Sequence, residues 1–196
     1  MSAPQISTSF DPKSKMATNN AEDFVPLKGT CVCKTITYTL TAPPMITHCC
    51  HCTYCQKETG SAFALNTVIE TYNFSITSHA HPAFAHRPSP SAPDGSKHLV
   101  AYCPNRDCNT DIFSYYGGNR ATVYLKCGTL DHESRARVRP DVHIFTNTKV
   151  PWIDLKGEEE KGIKVCEEFY DHKDVWTEEN LERLAKLRTW KAEQGL

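Results

Sequence analysis

Cys50-His51-Cys52-Thr53-Tyr54-Cys55 places three thiols within six residues, and two cysteine pairs stand far from it, Cys31-Val32-Cys33 and Cys103-Pro104-Asn105-Arg106-Asp107-Cys108. Zinc in a structural role takes four tetrahedral thiolate or imidazole ligands, commonly offered as close pairs by tight turns. Cys31, Cys33, Cys103 and Cys108 make one such set of four, a closed site that staples two distant hairpins and does no chemistry. The middle group supplies three thiols, the number that leaves one tetrahedral position open to water or to a substrate thiol. Spacing equally allows Cys49, His48 or His51 to complete that shell and close it. A thioredoxin-like role for the C-x-x-C of Cys52 and Cys55 is disfavoured, because no strand–helix–strand pattern surrounds it. Cys127 and Cys166 lack close cysteine neighbours and read as buried small apolar residues.

The rest of the chain favours metal over disulfides. Its 196 residues suffice to bury a core without staples, and Met1 to Asn20 contains no apolar stretch of the kind a secretory signal needs. The expectation is metal binding in a reducing compartment, the cytoplasm. With 22 basic against 23 acidic side chains the net charge is -1, which argues against a general electrostatic grip on nucleic acid or anionic lipid. No apolar run approaches the roughly 18 residues that a membrane-spanning helix requires.

Residues 1–24 are polar and aperiodic, and read as a disordered tail. A zinc-binding domain is expected over 25–175 and a helix over 176–196. Strand-like alternation runs through 35–40, 62–69, 72–76, 99–102, 112–116 and 122–125. The stretch 79–97, with Pro82, Pro88, Pro90, Pro93 and Gly95, reads as a long surface loop. Thr177 can cap the closing helix, Glu178 and Glu179 suit its N-terminal end, and Leu181, Leu184, Ala185 and Arg188 share a face. The fold class is therefore mainly β with a short C-terminal α-helix.

Gly29-Thr30-Cys31-Val32-Cys33, the run from Cys50 through Gly60-Ser61-Ala62-Phe63, the Cys103 and Cys108 pair, Gly128-Thr129-Leu130-Asp131, and the segment from His143-Ile144-Phe145 to Pro151-Trp152 occur in a fixed order. Together they resemble the glutathione-dependent formaldehyde-activating enzyme family, which also includes centromere protein V. The resemblance spans roughly residues 25–170. It implies a β-tent of folded antiparallel sheets with zinc knuckles and two zinc ions per chain. Cys31, Cys33, Cys103 and Cys108 match the structural zinc ligands, and Cys50, Cys52 and Cys55 match the catalytic ones. The implied activity is that of an S-(hydroxymethyl)glutathione synthase, a carbon–sulfur lyase handling adducts of glutathione or another small thiol with formaldehyde or a related electrophile. Three thiolates damp the Lewis acidity of a zinc, so thiol delivery is favoured over strong carbonyl activation. The rival readings are a lyase or dehydratase on another substrate in a biosynthetic pathway, and a non-catalytic zinc-stabilised interaction module.

The chain departs from the family pattern in three places. The last pair is C-x4-C followed by Asn109, where the family has C-x-x-C followed by Gly; Lys34 stands where Gly usually follows Cys33; and the Pro-rich stretch around Pro88 is long enough to reshape a cleft. Other residues receive plainer readings. Arg135, Arg137 and Arg139 alternate as on a strand and read as an exposed basic edge rather than a carboxylate clamp. His143 either borders the catalytic zinc or is a hydrogen-bonded structural histidine. Asp131 reads as a turn residue, Trp152 as core or cleft wall, and Glu158-Glu159-Glu160 as a solvated run.

Overall fold

The computed structural model describes residues 24–89 and 98–195. The tail expected over 1–24 lies outside the described residues except for Phe24, which packs against the core. Among the described residues eleven strands form two sheets, as the mainly β reading anticipates. The smaller contains β1 (Leu27–Thr30), β2 (Thr37–Leu40) and β5 (Phe74–Ile76) in the order β1-β2-β5. The larger adds β3 (Ile46–Cys50), β4 (Ala64–Glu70), β6 (Ala83–His86), β7 (His98–Tyr102), β8 (Asp111–Tyr116), β9 (Thr122–Lys126), β10 (Val142–Ile144) and β11 (Lys164–Val165). Its order is β11-β10-β3-β4-β9-β8-β7-β6, antiparallel except that β10 runs parallel to both its neighbours. The α-helices among the described residues are α1 (Thr53–Thr59), α2 (His132–Ala136), α3 (His172–Val175) and α4 (Glu178–Glu193).

Successive residues of a strand face opposite sides of a sheet, and the register sorts the large sheet into two faces. Cys49, Thr67, Ile69, Val123, Leu125, Phe113 and Ala101 point one way, and most of them pack with Leu27, Tyr38 and Leu40 of the small sheet in one buried cluster. Cys50, Ala64, Val68, Val142 and Ile144 belong to a second cluster beneath Trp176 and Leu187 of the C-terminal region. Gly29 permits the close approach of the small sheet to the turn after β9. A Cβ there would sit inside the Tyr38 hydroxyl and 2.6 Å from the Thr129 carbonyl oxygen, and Tyr38 Oη bonds Thr129 Oγ1 at 2.7 Å in that space.

The stretch 79–97 is not all loop: β6 lies within it and pairs antiparallel with β7, the remainder beyond Ser89 being outside the described residues. Helix α4 starts at its Thr177 cap, whose Oγ1 accepts from the Asn180 amide at 3.2 Å. Its packed face comprises Leu181, Leu184, Leu187 and Trp190, while Ala185 and Arg188 are exposed, so the apolar stripe is rotated from the expected one. Arg183 ties this helix to the sheet through a buried pair with Glu70, 2.9 Å from Nε to Oε1 and 2.7 Å from Nη2 to Oε2. Among the described residues no helix is long and apolar enough to cross a membrane.

Candidate metal centres and active site

All ten cysteines are free thiols. Cys31 and Cys33 occupy the turn between β1 and β2; Cys103 follows β7 and Cys108 closes the next turn. Backbone bonds shape both turns: Lys34 N to Cys31 O at 2.9 Å, Cys108 N and Asn109 N to Asn105 O at 3.0 and 2.9 Å. Lys34 and Asn109, which stand where the resemblance leads to an expectation of glycine, have φ of 63° and 47°. Both departures thus fall in the left-handed backbone that glycine adopts most readily. The four sulfurs lie within 4.8 Å of one another, with Cys33 Sγ 3.6 Å from both Cys31 Sγ and Cys103 Sγ. Sulfurs bound tetrahedrally at the zinc distance stand about 3.8 Å apart, so the donor set fits zinc.

Cys50 ends β3, Cys52 caps α1 and Cys55 lies in its first turn, again within 4.8 Å of one another. The cap is the thiol itself: Cys55 N donates to Cys52 Sγ at 3.3 Å. Cys50 and Cys55 are buried and Cys52 is half-exposed, so the trio presents one edge to solvent. The thiols share protons unequally. Hydrogen bonds from Cys50 and then Cys55 hold Cys52 well below the usual thiol range, while the bond to Cys52 raises Cys50 and the bonds to Cys50 and Cys52 raise Cys55. Three soft thiol donors within 4.8 Å of one another suit zinc as the four-sulfur group does.

The residues that spacing allowed as a fourth ligand lie elsewhere. His48 Nε2 bonds Tyr170 Oη at 2.5 Å. Cys49 and His51 project to the opposite face, where they meet His143 of β10. Gln56 Nε2 and Thr148 Oγ1 both donate to His51 O, at 2.7 and 3.0 Å, fixing the segment between β3 and α1 against the turn after β10.

Behind the trio lies a polar group that sequence reading missed. Glu58 of α1 accepts from Lys126 Nζ at 2.6 Å, and Tyr54 Oη bonds His98 Nδ1 at 3.0 Å. Tyr116 stacks on His98 with centroids 4.3 Å apart. Among the described residues Asn66 Oδ1, His98 Nε2 and Ser114 Oγ are buried without a hydrogen-bond partner, all on the face that carries Cys50, and His98 Nε2 lies 3.8 Å from Glu58 Oε1. Helical spacing from Cys55 to Glu58 was the available signal; the strand partners come from distant sequence.

Several expectations need correction. Arg135 lies in α2 and Arg137 caps its C-terminal end, so the arginines do not alternate on a strand. Arg137 instead donates to Val25 O and Pro26 O at 2.7 and 3.1 Å. Trp152 is 75% exposed, neither core nor wall of a buried cleft. Glu158 is largely shielded, held by Lys161 Nζ at 2.8 Å. Asp131 bonds the Ser134 amide at 2.7 Å, capping α2. Cys127 is fully buried as read, whereas Cys166 is half-buried.

The family described as glutathione-dependent formaldehyde-activating enzyme matches residues 26–148, a span that contains all seven cysteines of the two clusters. No curated protein matches the chain significantly. Among solved structures, a Rhodobacter sphaeroides protein is similar at 14% identity, over 58% of this chain and 91% of that one, with a TM-score of 0.40.

Proposed function

We propose, on the premise that this chain belongs to the glutathione-dependent formaldehyde-activating enzyme family, that it is a zinc-dependent carbon–sulfur lyase of the S-(hydroxymethyl)glutathione synthase type. Its substrates are adducts of glutathione or a similar small thiol with formaldehyde or a related electrophile. Cys31, Cys33, Cys103 and Cys108 hold a structural zinc, and Cys50, Cys52 and Cys55 hold a catalytic one. A zinc bound by three thiolates supplies an open position and lowers the pKa of a thiol placed there.

The observation that carries this reading is the three-thiol cluster with a half-exposed edge inside the family match. The chain's own groups fit the task. The Cys55 amide steadies Cys52 as a thiolate through its N–H. In the addition direction the thiol S–H breaks, the S–C bond forms and the proton ends on the former carbonyl oxygen; atoms balance without oxidant or reductant. The domain organisation proposed is a catalytic body over 25–175 with the helix of 176–196 seated on it. Ten free thiols favour a reducing compartment, the cytoplasm.

Calorimetric binding of glutathione and S-methylglutathione to the zinc-loaded chain tests the reading. Glutathione should bind at least tenfold more tightly, and Cys52→Ala should abolish the difference. Equal affinities for the two peptides would contradict thiol recognition.

A further inference from the structure

The end of strand β3 and the two residues that follow it offer metal-binding side chains on both faces. Cys50 and Cys52 serve one, and Cys49 and His51 project from the other, where the parallel pairing of β10 sets His143 opposite Cys49. His51 Nε2 lies 3.6 Å from Cys49 Sγ and 2.9 Å from His143 Nδ1. All three residues are buried, at 3%, 0% and 7% exposure.

A hydrogen-bonded histidine pair explains this arrangement poorly. One ring nitrogen has either one proton or one lone pair, yet Nε2 of His51 faces both Cys49 Sγ and His143 Nδ1 at once. The other nitrogen of that ring, Nδ1, is buried without a hydrogen-bond partner among the described residues. A cation at the centre of the three would engage all of their lone pairs together. His143 also directs its far nitrogen, Nε2, toward Glu158 Oε2 at 3.8 Å, the kind of outer carboxylate that orients a metal-bound imidazole. Lys161 holds the other carboxylate oxygen at 2.8 Å and leaves Oε2 for the histidine.

The dimensions agree with a small divalent ion. Zinc–nitrogen and zinc–sulfur bond lengths put tetrahedral ligands about 3.6 Å apart for N and S and about 3.3 Å for two nitrogens. The cysteine–histidine separation of 3.6 Å already fits, and the histidine pair at 2.9 Å opens by about 0.4 Å to admit the ion.

We propose that Cys49, His51 and His143 form a third metal site, a buried thiolate–bis-imidazole centre for zinc or another borderline divalent cation, oriented by Glu158. It fastens β3, β10 and the Glu158 segment on the side of the strand opposite the candidate active site. The inference does not depend on the lyase reading.

Zinc content of the full chain tests it. The chain is loaded with excess zinc, freed of loose metal by desalting, and compared with Cys49→Ser and His143→Asn treated alike. The site predicts one zinc ion fewer per chain in each variant than in the native protein; equal content would overturn it. Zinc-edge absorption of the native protein decides the matter if a variant fails to fold. Imidazole scattering supports the site, and a shell without it overturns the site, because the other two clusters contain only sulfur among their protein ligands.

Discussion

Replacing Arg183 with methionine leaves the Glu70 carboxylate stranded in the interior. Glu70 is 1% exposed, and Arg183 meets both of its oxygens, at 2.9 and 2.7 Å. Asn73 Nδ2, at 3.1 Å, is its other hydrogen-bond partner among the described residues. The same guanidinium bonds Pro43 O at 2.8 Å, so one side chain joins α4 to two parts of the body. Removing one member of a buried pair costs about 3–5 kcal/mol, mostly because the remaining charge has no compensation. A chain of this length loses about 2–4 °C of Tm per kcal/mol, which places the fall at about 6–20 °C. Removing both charges, in Glu70→Met with Arg183→Met, should recover most of the loss, since an apolar pair of similar volume is often neutral. Thermal unfolding of the zinc-loaded proteins, followed by circular dichroism and by the fluorescence of Trp176 and Trp190, reads both effects. A single variant within about 1 kcal/mol of native, or a double variant as unstable as the single, would refute the argument.

Three further predictions concern the turns and the buried polar group. Gly29→Ala forces a Cβ into the Tyr38 hydroxyl and the Thr129 carbonyl and should cost about 1–3 kcal/mol or prevent folding; urea unfolding unchanged from native would contradict the close approach. Lys34→Gly should stabilise by up to about 1 kcal/mol, because relief of a positive-φ lysine outweighs the extra freedom of glycine in the unfolded chain. A loss of stability there would mean that the lysine side chain contributes more than its backbone costs. Burial lowers the pKa of His98, with Glu58 opposing. Its contribution to stability is therefore complete above the unfolded value of about 6.5 and is lost as the pH falls through the folded value. The stability difference between native protein and His98→Gln should shrink from pH 7.5 to 5.5, as measured by urea midpoints; a constant or widening difference would reverse that sign.

The cysteine groups were legible because their geometry is local: two tight turns and one helix start bring neighbouring thiols together wherever the rest of the chain goes. The strand carrying Cys50 was not, because all five residues of Ile46–Cys50 are buried and the alternation that marks a half-exposed strand is absent. That gap also hid the two-faced character of His48-Cys49-Cys50-His51-Cys52, and hence the meeting of His51 with His143 from 92 positions away. Arg135 to Arg139 misled for the opposite reason. An alternation of two suggested a strand, while Asp131, read as a turn, in fact caps a short helix through Ser134. The helix at the chain's end declared itself by its cap and acidic first turn, but its buried stripe depended on where Leu187 and Trp190 found partners.

The most direct measurement is exchange NMR on glutathione and formaldehyde at equilibrium, with native protein and with Cys52→Ala. Both reactants combine unaided, so the observable is the rate of interconversion with their adduct. Faster interconversion with native protein and none with the variant is the predicted result. Uncatalysed rates in the presence of zinc-loaded native protein would contradict the assignment of this chemistry to Cys50, Cys52 and Cys55.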